Sequence, residues 1–302
     1  MPRFVFSVIL LLCAGAIVEA KPVKVLFVTQ MPGRYHDYND QTRILLSELP
    51  KYGSMEFTIM AGTANEVLAK MGKPGYTKGY DVVLYNMCHA KTDDSALVRN
   101  VIDETAVRGT PAVLVHCAMH CFWPTSSAKN PKLAAAAANY QKLNPQGQFP
   151  YWWKFVGLHT VRHERRRDMT IHKASPEHNV VKALPKTIVA PNDELYVNIE
   201  LVKGVQPILV CKSADGKKDH VVAWHHKVNG ASVFGTTIGH GMETFGVKEF
   251  HQLVANGVLF AAGKLGDDGK PAKGYEGNAN HRLPKKFDEY LKNAPRRGGR
   301  KK

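Results

Sequence analysis

The stretch AVLVHCAMHCFW, residues 112–123, holds the densest group of side chains capable of chemistry. An apolar run ends there, and two histidines and two cysteines follow: His116, Cys117, His120 and Cys121. Imidazoles bind divalent metals or transfer protons, and a cysteine at the turn after a strand can act as a nucleophile. The stretch therefore allows three interpretations: a metal site, a cysteine nucleophile, or a buried turn without chemistry.

Histidines are frequent in this chain, with 14 among 302 residues. His116 and His120 are four positions apart, and so are His159 and His163. On a helix this spacing puts both imidazoles on one face, where they can bind a divalent metal. Neither pair carries the glutamate of an HExxH motif, so ordinary polar histidines remain the alternative.

Cys117 is the candidate nucleophile, because backbone N–H groups at a strand-to-helix turn can stabilise a thiolate. The turn lacks the flanking glycines that let such elbows bend sharply, so the pattern favours the metal site. Loss of Cys13 with a leader peptide would leave four cysteines, enough for two disulfides or none.

Hydrophobic patterns predict the elements that position these residues. Strands are predicted at residues 24–28, 55–60, 80–85 and 111–115. Helices are predicted at residues 40–52 and from 92–94 to about 108. The alternation indicates right-handed βαβ units, whose working residues gather at the carboxyl ends of the strands. Polar segments at 29–37, 86–89 and 116–120 should therefore meet at one edge.

The second half of the chain is less regular. Further strands are predicted at residues 168–172, 206–212, 221–225 and 232–238, before an amphipathic helix at 247–262. Together the patterns predict an α/β fold with a doubly wound, mostly parallel sheet of flavodoxin-like type.

Both ends of the chain differ from this body. Residues 1–20 have a basic start, an apolar run and a small-residue cleavage site at Ala20, which predicts a secretory signal peptide and export to the periplasm or beyond. No later stretch is long and apolar enough to span a membrane. Residues 266–302 form a predicted flexible, basic tail, which leaves one domain at 21–265 and contributes to a net charge of +15. No nucleic-acid recognition pattern accompanies the charge, so no specific nucleic-acid partner is expected.

A series of motifs runs in order through the chain. Gly33 and His36 follow the first strand, and then come VLVHCAMH, FVGLHTVRH, NDELY, VVAWHH and VFGTTIGHGMETF. This chain resembles the ThuA-like family, named for trehalose utilisation, over Lys24–Leu265. It is most similar to exported members from planctomycete-type bacteria. The resemblance implies a class I glutamine amidotransferase-like fold and a link to carbohydrate metabolism, with no nucleotide cofactor.

The resemblance also assigns roles residue by residue. His116 takes the position of the amidotransferase cysteine, which leaves Cys117 one place late. His36, His116, His163 and His240 are the implied ligands of a divalent metal such as zinc. His116, His163 and Glu194 are the implied catalytic residues. Tyr35, Trp123, Asp193 and Tyr196 are the implied substrate-binding residues, and Trp152, Trp153 and Trp224 either stack on sugars or pack in the core.

Three functional hypotheses follow from these residues. The first is an exported enzyme, a hydrolase, lyase or isomerase, that acts on a sugar or an oxidised sugar derivative in a histidine-rich cleft. The second is a non-catalytic module that binds an anionic glycan, which the run Arg165, Arg166 and Arg167 favours. The third is a Cys117-dependent amidohydrolase. A carbohydrate partner is common to the first two, and a homo-oligomer is compatible with all three.

Overall fold

Both faces of the first strand are apolar, and each face belongs to a different hydrophobic core. In β1 (Val23–Thr29), Val25 and Phe27 pack in one core, while Leu26 and Val28 pack in the other. All four side chains are almost fully buried. Burial on both faces is typical of a sheet that lies between two layers of helices.

The computed structural model describes residues 21–92, 94–122 and 131–296. The predicted signal peptide, Trp123 and the last six residues of the predicted tail lie outside the described residues. Within the described ranges, no helix has the length and apolar character needed to cross a membrane.

The strands that follow β1 along the chain are β2 Met55–Met60, β3 Val82–Asn86, β4 Ala112–Val115, β5 Leu158–His163, β6 Arg167–Lys173, β7 Thr187–Asp193, β8 Tyr196–Leu201, β9 Gln206–Lys212, β10 Asp219–Val228 and β11 Ala231–Thr236. In the described part of the chain, nine strands form one sheet in the order β2-β1-β3-β4-β11-β10-β9-β6-β7. Pairing is parallel from β2 to β11 and antiparallel from β11 to β7, so only β10 and β6 run against the others.

The α-helices of the described residues are α1 Tyr38–Glu48, α2 Ala64–Met71, α3 Ser95–Ala106, α4 Pro131–Leu143, α5 Trp152–Val156, α6 Asn179–Lys182, α7 Met242–Phe245, α8 Lys248–Ala261 and α9 Lys285–Asn293. Leu45 of α1 and Leu253 of α8 join the core on one face of the sheet. Val67 of α2 and Val101 of α3 join the core on the other face. The predicted doubly wound, mostly parallel α/β fold is therefore confirmed.

Four strands end side by side at the edge that the sequence predicts to be functional. Thr29 of β1 pairs with Asn86 of β3, and Val115 of β4 pairs with Thr236 of β11. The loops after β1, β4 and β11 therefore start at the same edge.

A small second sheet, which the hydrophobic pattern does not predict, stands beside this edge. Strands β5 and β8 pair antiparallel, with irregular register, and this pairing sets His163 opposite Tyr196. Neither strand has a clear apolar alternation in its sequence. The last three residues of each strand are half-buried or exposed. The pairing of these two strands therefore depends on tertiary contacts rather than on local pattern.

The described part of the predicted tail lies on the α/β body. Leu291 of α9 is buried, and the Asn39 side-chain amide of α1 donates hydrogen bonds to the carbonyls of Leu291 and Ala294. Arg296 also pairs with Asp40 at 3.4 Å. Helix α9 thus packs on α1, while the domain boundary at residue 265 and the flexibility of the tail stay predictions.

Close packing of α8 on the sheet predicts a destabilising substitution at Gly257. A Cβ atom at Gly257 would overlap the ring of Phe234 on β11, and Phe234 is fully buried. We expect Gly257→Val to lower the free energy of unfolding by about 1–3 kcal/mol, because overpacking displaces core side chains. Equilibrium urea unfolding measures the change. Gly72→Ala is the control, since a Cβ there makes no contact closer than 3.4 Å and should leave stability nearly unchanged.

Candidate functional site

A cavity of about 530 Å³ opens at the predicted edge of the sheet. Its lining combines imidazoles, one carboxylate and a guanidinium, from His36, His120, His163, His240, Glu194 and Arg162. The loops after β1, β4 and β11, the end of strand β5, and the segment between β7 and β8 supply these side chains, so residues far apart in sequence meet there. The volume lies within the range of small-molecule sites.

His116 lies at the turn directly after β4, in a left-handed backbone conformation with φ of 46°. Left-handed backbone is uncommon outside glycine, and such strain concentrates at functional sites. The Nδ1 atom lies 2.6 Å from the carbonyl oxygen of Thr237, so Nδ1–H donates to this oxygen. The Nε2 atom then carries the lone pair and lies 3.3 Å from the hydroxyl of Tyr196. The chain thus turns sharply at His116, although no glycine flanks this residue.

Three imidazoles gather around this turn. The ring centroids of His36, His116 and His240 are 4.9–5.4 Å apart, and each pair meets edge to face. One nitrogen from each ring lies within 4.8 Å of the others. The Nδ1 atom of His36 also lies 3.3 Å from the backbone oxygen of His240, which helps to fix the first ring. These three residues form what we call the histidine cluster.

Glu194 faces the histidine cluster from the segment between β7 and β8. Its Oε2 lies 3.0 Å from His240 Nδ1 and 3.7 Å from His116 Nε2. Its Oε1 lies 3.5 Å from Nδ1 of His163. A single carboxylate is therefore within reach of three imidazoles, an arrangement suited to proton transfer.

Asp193 holds Glu194 and His240 in this arrangement. Its side chain is fully buried, and its carboxylate accepts hydrogen bonds from the backbone amides of Glu194, Gly239 and His240 at 2.7–3.0 Å. The hydroxyl of Thr244 donates to it at 2.7 Å. The predicted substrate-binding role of Asp193 does not fit these contacts, since both carboxylate oxygens are engaged inside the protein. Asp193 is a positioning residue.

Burial sets the protonation of the histidines behind the cavity. Loss of solvent around His116, together with the neighbouring rings of His36 and His240, lowers its pKa well below the usual value. Burial lowers the pKa of His120 to about 3, and its ring stacks on Tyr196 at 4.2 Å. Both imidazoles are therefore neutral at pH 7, the form that binds a metal or accepts a proton.

The histidine cluster passes a test of its fitness for a metal ion. His240 Nδ1 is buried and has no hydrogen-bond partner among the described residues, although Glu194 Oε2 is 3.0 Å away. A buried nitrogen that makes no hydrogen bond has its lone pair available to bind a metal ion. In a tetrahedral zinc site ligand atoms lie about 3.4 Å apart, so the separations of up to 4.8 Å would have to contract by up to about 1.4 Å on binding.

The structure brings three of the four predicted metal ligands together. His163 lies outside the histidine cluster, because its side chain is 45% exposed and its Nδ1 lies 2.9 Å from the carbonyl oxygen of Glu164. It lines the cavity instead, across Glu194 from the cluster. His163 is thus placed to contact a ligand rather than to hold an ion with the other three.

The predicted aromatic residues divide between the cavity and the core. Tyr35 is 48% exposed and lines the cavity, and Tyr196 lines it from a buried position. The indole N–H groups of Trp152 and Trp224 donate to the carbonyls of Ala118 and Val156, so these rings are core residues. Trp123 is outside the described residues, and its predicted role stays a prediction.

Several cavity residues are absent from the set of ligands and catalytic residues that the resemblance implies. His120 and Arg162 line the cavity, and Thr237 contributes the carbonyl that orients His116. The signal for His120 was present in its spacing from His116, but a helix was assumed where a 3-10 turn occurs, at His116–His120. A backbone carbonyl such as that of Thr237 leaves no signal in side-chain type.

Cys117 is a poor candidate for a nucleophile in this structure. Its Sγ lies 2.6 Å from the Sγ of Cys88, and both side chains are buried. The hydrogen bond with Cys88 and burial raise the pKa of the Cys117 thiol well above its usual value. A thiol that stays protonated at neutral pH is a weak nucleophile.

A known family model matches part of the chain. Residues 132–261 match the family model ThuA, trehalose utilisation. This ThuA segment contains His163, Asp193, Glu194 and His240, whereas His36 and His116 precede it. No curated protein sequence matches the chain.

Solved structures of proposed ThuA-like proteins share the fold. One, from Parabacteroides merdae ATCC 43184, has a TM-score of 0.58 at 16% identity. The aligned region covers 86% of this chain and 98% of the Parabacteroides chain. Another, from Bacteroides uniformis ATCC 8492, has a TM-score of 0.55 at 19% identity. The aligned region covers 79% of this chain and 92% of the Bacteroides chain. At such identities the likeness concerns the fold alone.

One histidine at this edge turns inward instead of joining the cavity. His89 follows β3 and is buried near the ring of Phe122, with centroids 6.5 Å apart. Its Nε2 has no hydrogen-bond partner among the described residues. Burial lowers its pKa from 6.5 to about 4.

The lowered pKa of His89 predicts a loss of stability in acid. The unfolded chain takes up this proton near pH 6.5 and the folded chain only near pH 4, so stability present above pH 6.5 is lost as the pH falls to about 4. We expect His89→Phe to reduce this loss by up to about 3 kcal/mol. Urea unfolding at pH 7 and pH 4 measures it. His172→Gln, at an exposed position, should retain the full loss; an unchanged pH dependence in His89→Phe would contradict the assignment.

Proposed function

We propose that this chain is an exported ThuA-like enzyme of carbohydrate catabolism, which acts on a sugar or an oxidised sugar derivative in the histidine-rich cavity. The observation that carries the proposal is the Glu194 carboxylate, which faces three imidazoles beside an open cavity. The ThuA match supports the carbohydrate link. Export rests on the predicted signal peptide at residues 1–20.

Glu194 is the proposed acid–base residue. It lies at the inner wall of the cavity, where its carboxylate can take a proton from a sugar hydroxyl or from water and return it later in the reaction. The Nδ1 atom of His240 lies 3.0 Å from this carboxylate, so the two groups can act on the same substrate atom. His163, at the cavity wall, is placed to exchange a proton with the same carboxylate or to contact the sugar.

The histidine cluster is the proposed site of a divalent ion such as zinc. His116 would bind through Nε2, because Thr237 engages its Nδ1–H. Carbonyl-oriented imidazoles of this kind are typical of metal ligands. When bound, such an ion polarises a hydroxyl or carbonyl oxygen of the substrate.

Tyr35 is the proposed sugar-stacking residue at the cavity. Its ring is 48% exposed, whereas the other aromatic residue of the lining, Tyr196, is buried. An exposed aromatic face next to polar groups is suited to the apolar face and hydroxyls of a sugar ring.

Metal binding is the first test of the site. We expect the chain from residue 21, freed of metal, to bind about one zinc ion, because three imidazoles form a typical zinc ligand set. His116→Ala and His240→Ala should each weaken binding by at least about 100-fold. Calorimetric titration, with elemental analysis after dialysis, measures both effects.

His172→Ala removes an exposed histidine and serves as the matched control, which should bind zinc as the wild type does. Equal zinc affinity in the wild type and His116→Ala would remove the metal from the proposal. Acid–base chemistry by Glu194 and the neutral imidazoles would then remain to be tested by turnover.

Turnover of sugars is the second test. A screen of neutral and oxidised saccharides should identify a substrate whose turnover falls by about 100-fold or more in Glu194→Gln, the range expected for loss of a general acid or base. Cys117→Ala should retain turnover within about threefold, because its protonated thiol is not expected to react. Near-ultraviolet circular dichroism verifies folding of each variant.

A different pattern would decide against this mechanism. Full turnover in Glu194→Gln would exclude the acid–base role, and a loss confined to Cys117→Ala would favour the amidohydrolase instead. Saccharide binding without any turnover in the wild type would favour a binding module.

A further inference from the structure

A second cavity, of about 720 Å³, adjoins the first. The two cavities share a wall formed by Arg162 and His163 at the end of β5. Beyond this wall the second cavity is lined by Arg165, Lys218 and His220. A ligand longer than one sugar ring can therefore reach from the histidine-rich cavity into the second one.

The cations of the second cavity are not neutralised within the protein. Arg162 and Arg165 are exposed and make no ion pair with any residue that the structure describes. The ammonium group of Lys218 donates to the backbone carbonyl of Asn198 at 3.3 Å and likewise has no carboxylate partner among the described side chains. Three positive charges thus face the same space.

The two carboxylates in the lining are already engaged. Glu164 accepts hydrogen bonds from the backbone amide of Ala214 and pairs with Arg167 at 3.4 Å. Asp215 accepts from the hydroxyl of Ser213 at 2.6 Å and from a backbone amide. Arg167 offsets the charge of Glu164, whereas Asp215 is exposed and has no cationic partner among the described residues. The lining therefore keeps three cations against one carboxylate that lacks a cationic partner.

His220 adds a neutral donor to the cations. The backbone amide of Asn198 donates to its Nδ1 at 3.1 Å, so the proton of the neutral ring is on Nε2. Burial, with the nearby charge of Lys218, lowers its pKa and keeps the ring neutral. Together with the cations, this N–H group forms a donor-rich surface suited to oxygen anions.

The arginine run of the sequence does not act as one unit. Arg166 bonds to the carbonyl of Asn192 and pairs with Glu243, and Arg167 pairs with Glu164. Of the three adjacent arginines, Arg165 alone lines the second cavity. The anion-binding potential therefore resides in Arg162, Arg165 and Lys218, two of which lie outside the run.

We propose that the second cavity is an anion subsite, which binds the carboxylate or sulfate group of an acidic saccharide whose neighbouring ring occupies the histidine-rich cavity. The proposal rests on the carbohydrate function proposed above and specifies the substrate as an acidic saccharide. Arg162 is placed between the two rings of such a ligand, because it lines both cavities.

The test compares matched oligosaccharides of equal length: one neutral, one containing a uronate and one carrying a sulfate ester. Calorimetry with the full chain at fixed ionic strength measures each affinity. We expect at least one acidic ligand to bind about tenfold more tightly than the neutral one, the gain expected from a hydrogen-bonded charge pair. The preferred ligand then distinguishes carboxylate from sulfate.

Variants locate the effect. The double substitution Arg165→Gln and Lys218→Gln should abolish the preference for the acidic ligand and leave the affinity for the neutral one unchanged. Lys217→Gln removes an exposed charge next to the cavity but outside its lining, and it should retain the preference.

Each contrary outcome has a separate meaning. Equal affinity for neutral and acidic ligands would overturn the subsite and leave the proposed function intact. An equal loss in Lys217→Gln would also overturn it, since general surface charge would then account for the preference. Failure of all three saccharides to bind would overturn both the subsite and the carbohydrate function.

Discussion

The cavity depends on one buried carboxylate. Asp193 is the last residue of β7, which is an edge strand of the sheet, and three strands separate β7 from β11. Asp193 nevertheless accepts hydrogen bonds from the backbone amides of Gly239 and His240, in the loop after β11. Burial raises its pKa, and these donors act in the opposite direction. A buried carboxylate costs several kcal/mol unless such partners satisfy it. The loop carrying His240 must therefore close on β7, and this closure brings His240 to Glu194.

His116 meets a second constraint from its backbone. Left-handed conformation at a residue with a side chain costs of order 1–3 kcal/mol, which the surrounding structure must offset. The pairing of β4 with β11 supplies part of that support, because it places the carbonyl of Thr237 at 2.6 Å from Nδ1. The same hydrogen bond selects the tautomer. One hydrogen bond thus supports the left-handed backbone of His116 and fixes its tautomer, and Nε2 faces the carboxylate of Glu194.

The sheet and its working edge could be predicted from the sequence, because apolar runs such as that before His116 mark buried parallel strands and polar residues follow their ends. The resemblance supplied His36, Glu194 and His240. The role of Asp193 could not be predicted, since a carboxylate beside Glu194 looks equally suited to a substrate. The pairing of β5 with β8 was also missed, because it depends on contacts between segments about 40 residues apart rather than on alternation.

The charges around both cavities favour ligands with negatively charged oxygen atoms. Burial keeps His116 neutral, and Glu194 is the carboxylate that faces the imidazoles, so a divalent ion in the histidine cluster would retain a net positive charge. In the wall that the two cavities share, Arg162 carries a further positive charge without an acidic partner among the described residues. Both sides of the wall thus favour oxygen-rich, negatively charged groups. Under the proposed function, a neutral sugar would engage Tyr35 in the first cavity, whereas an acidic sugar would also engage the cations of the second.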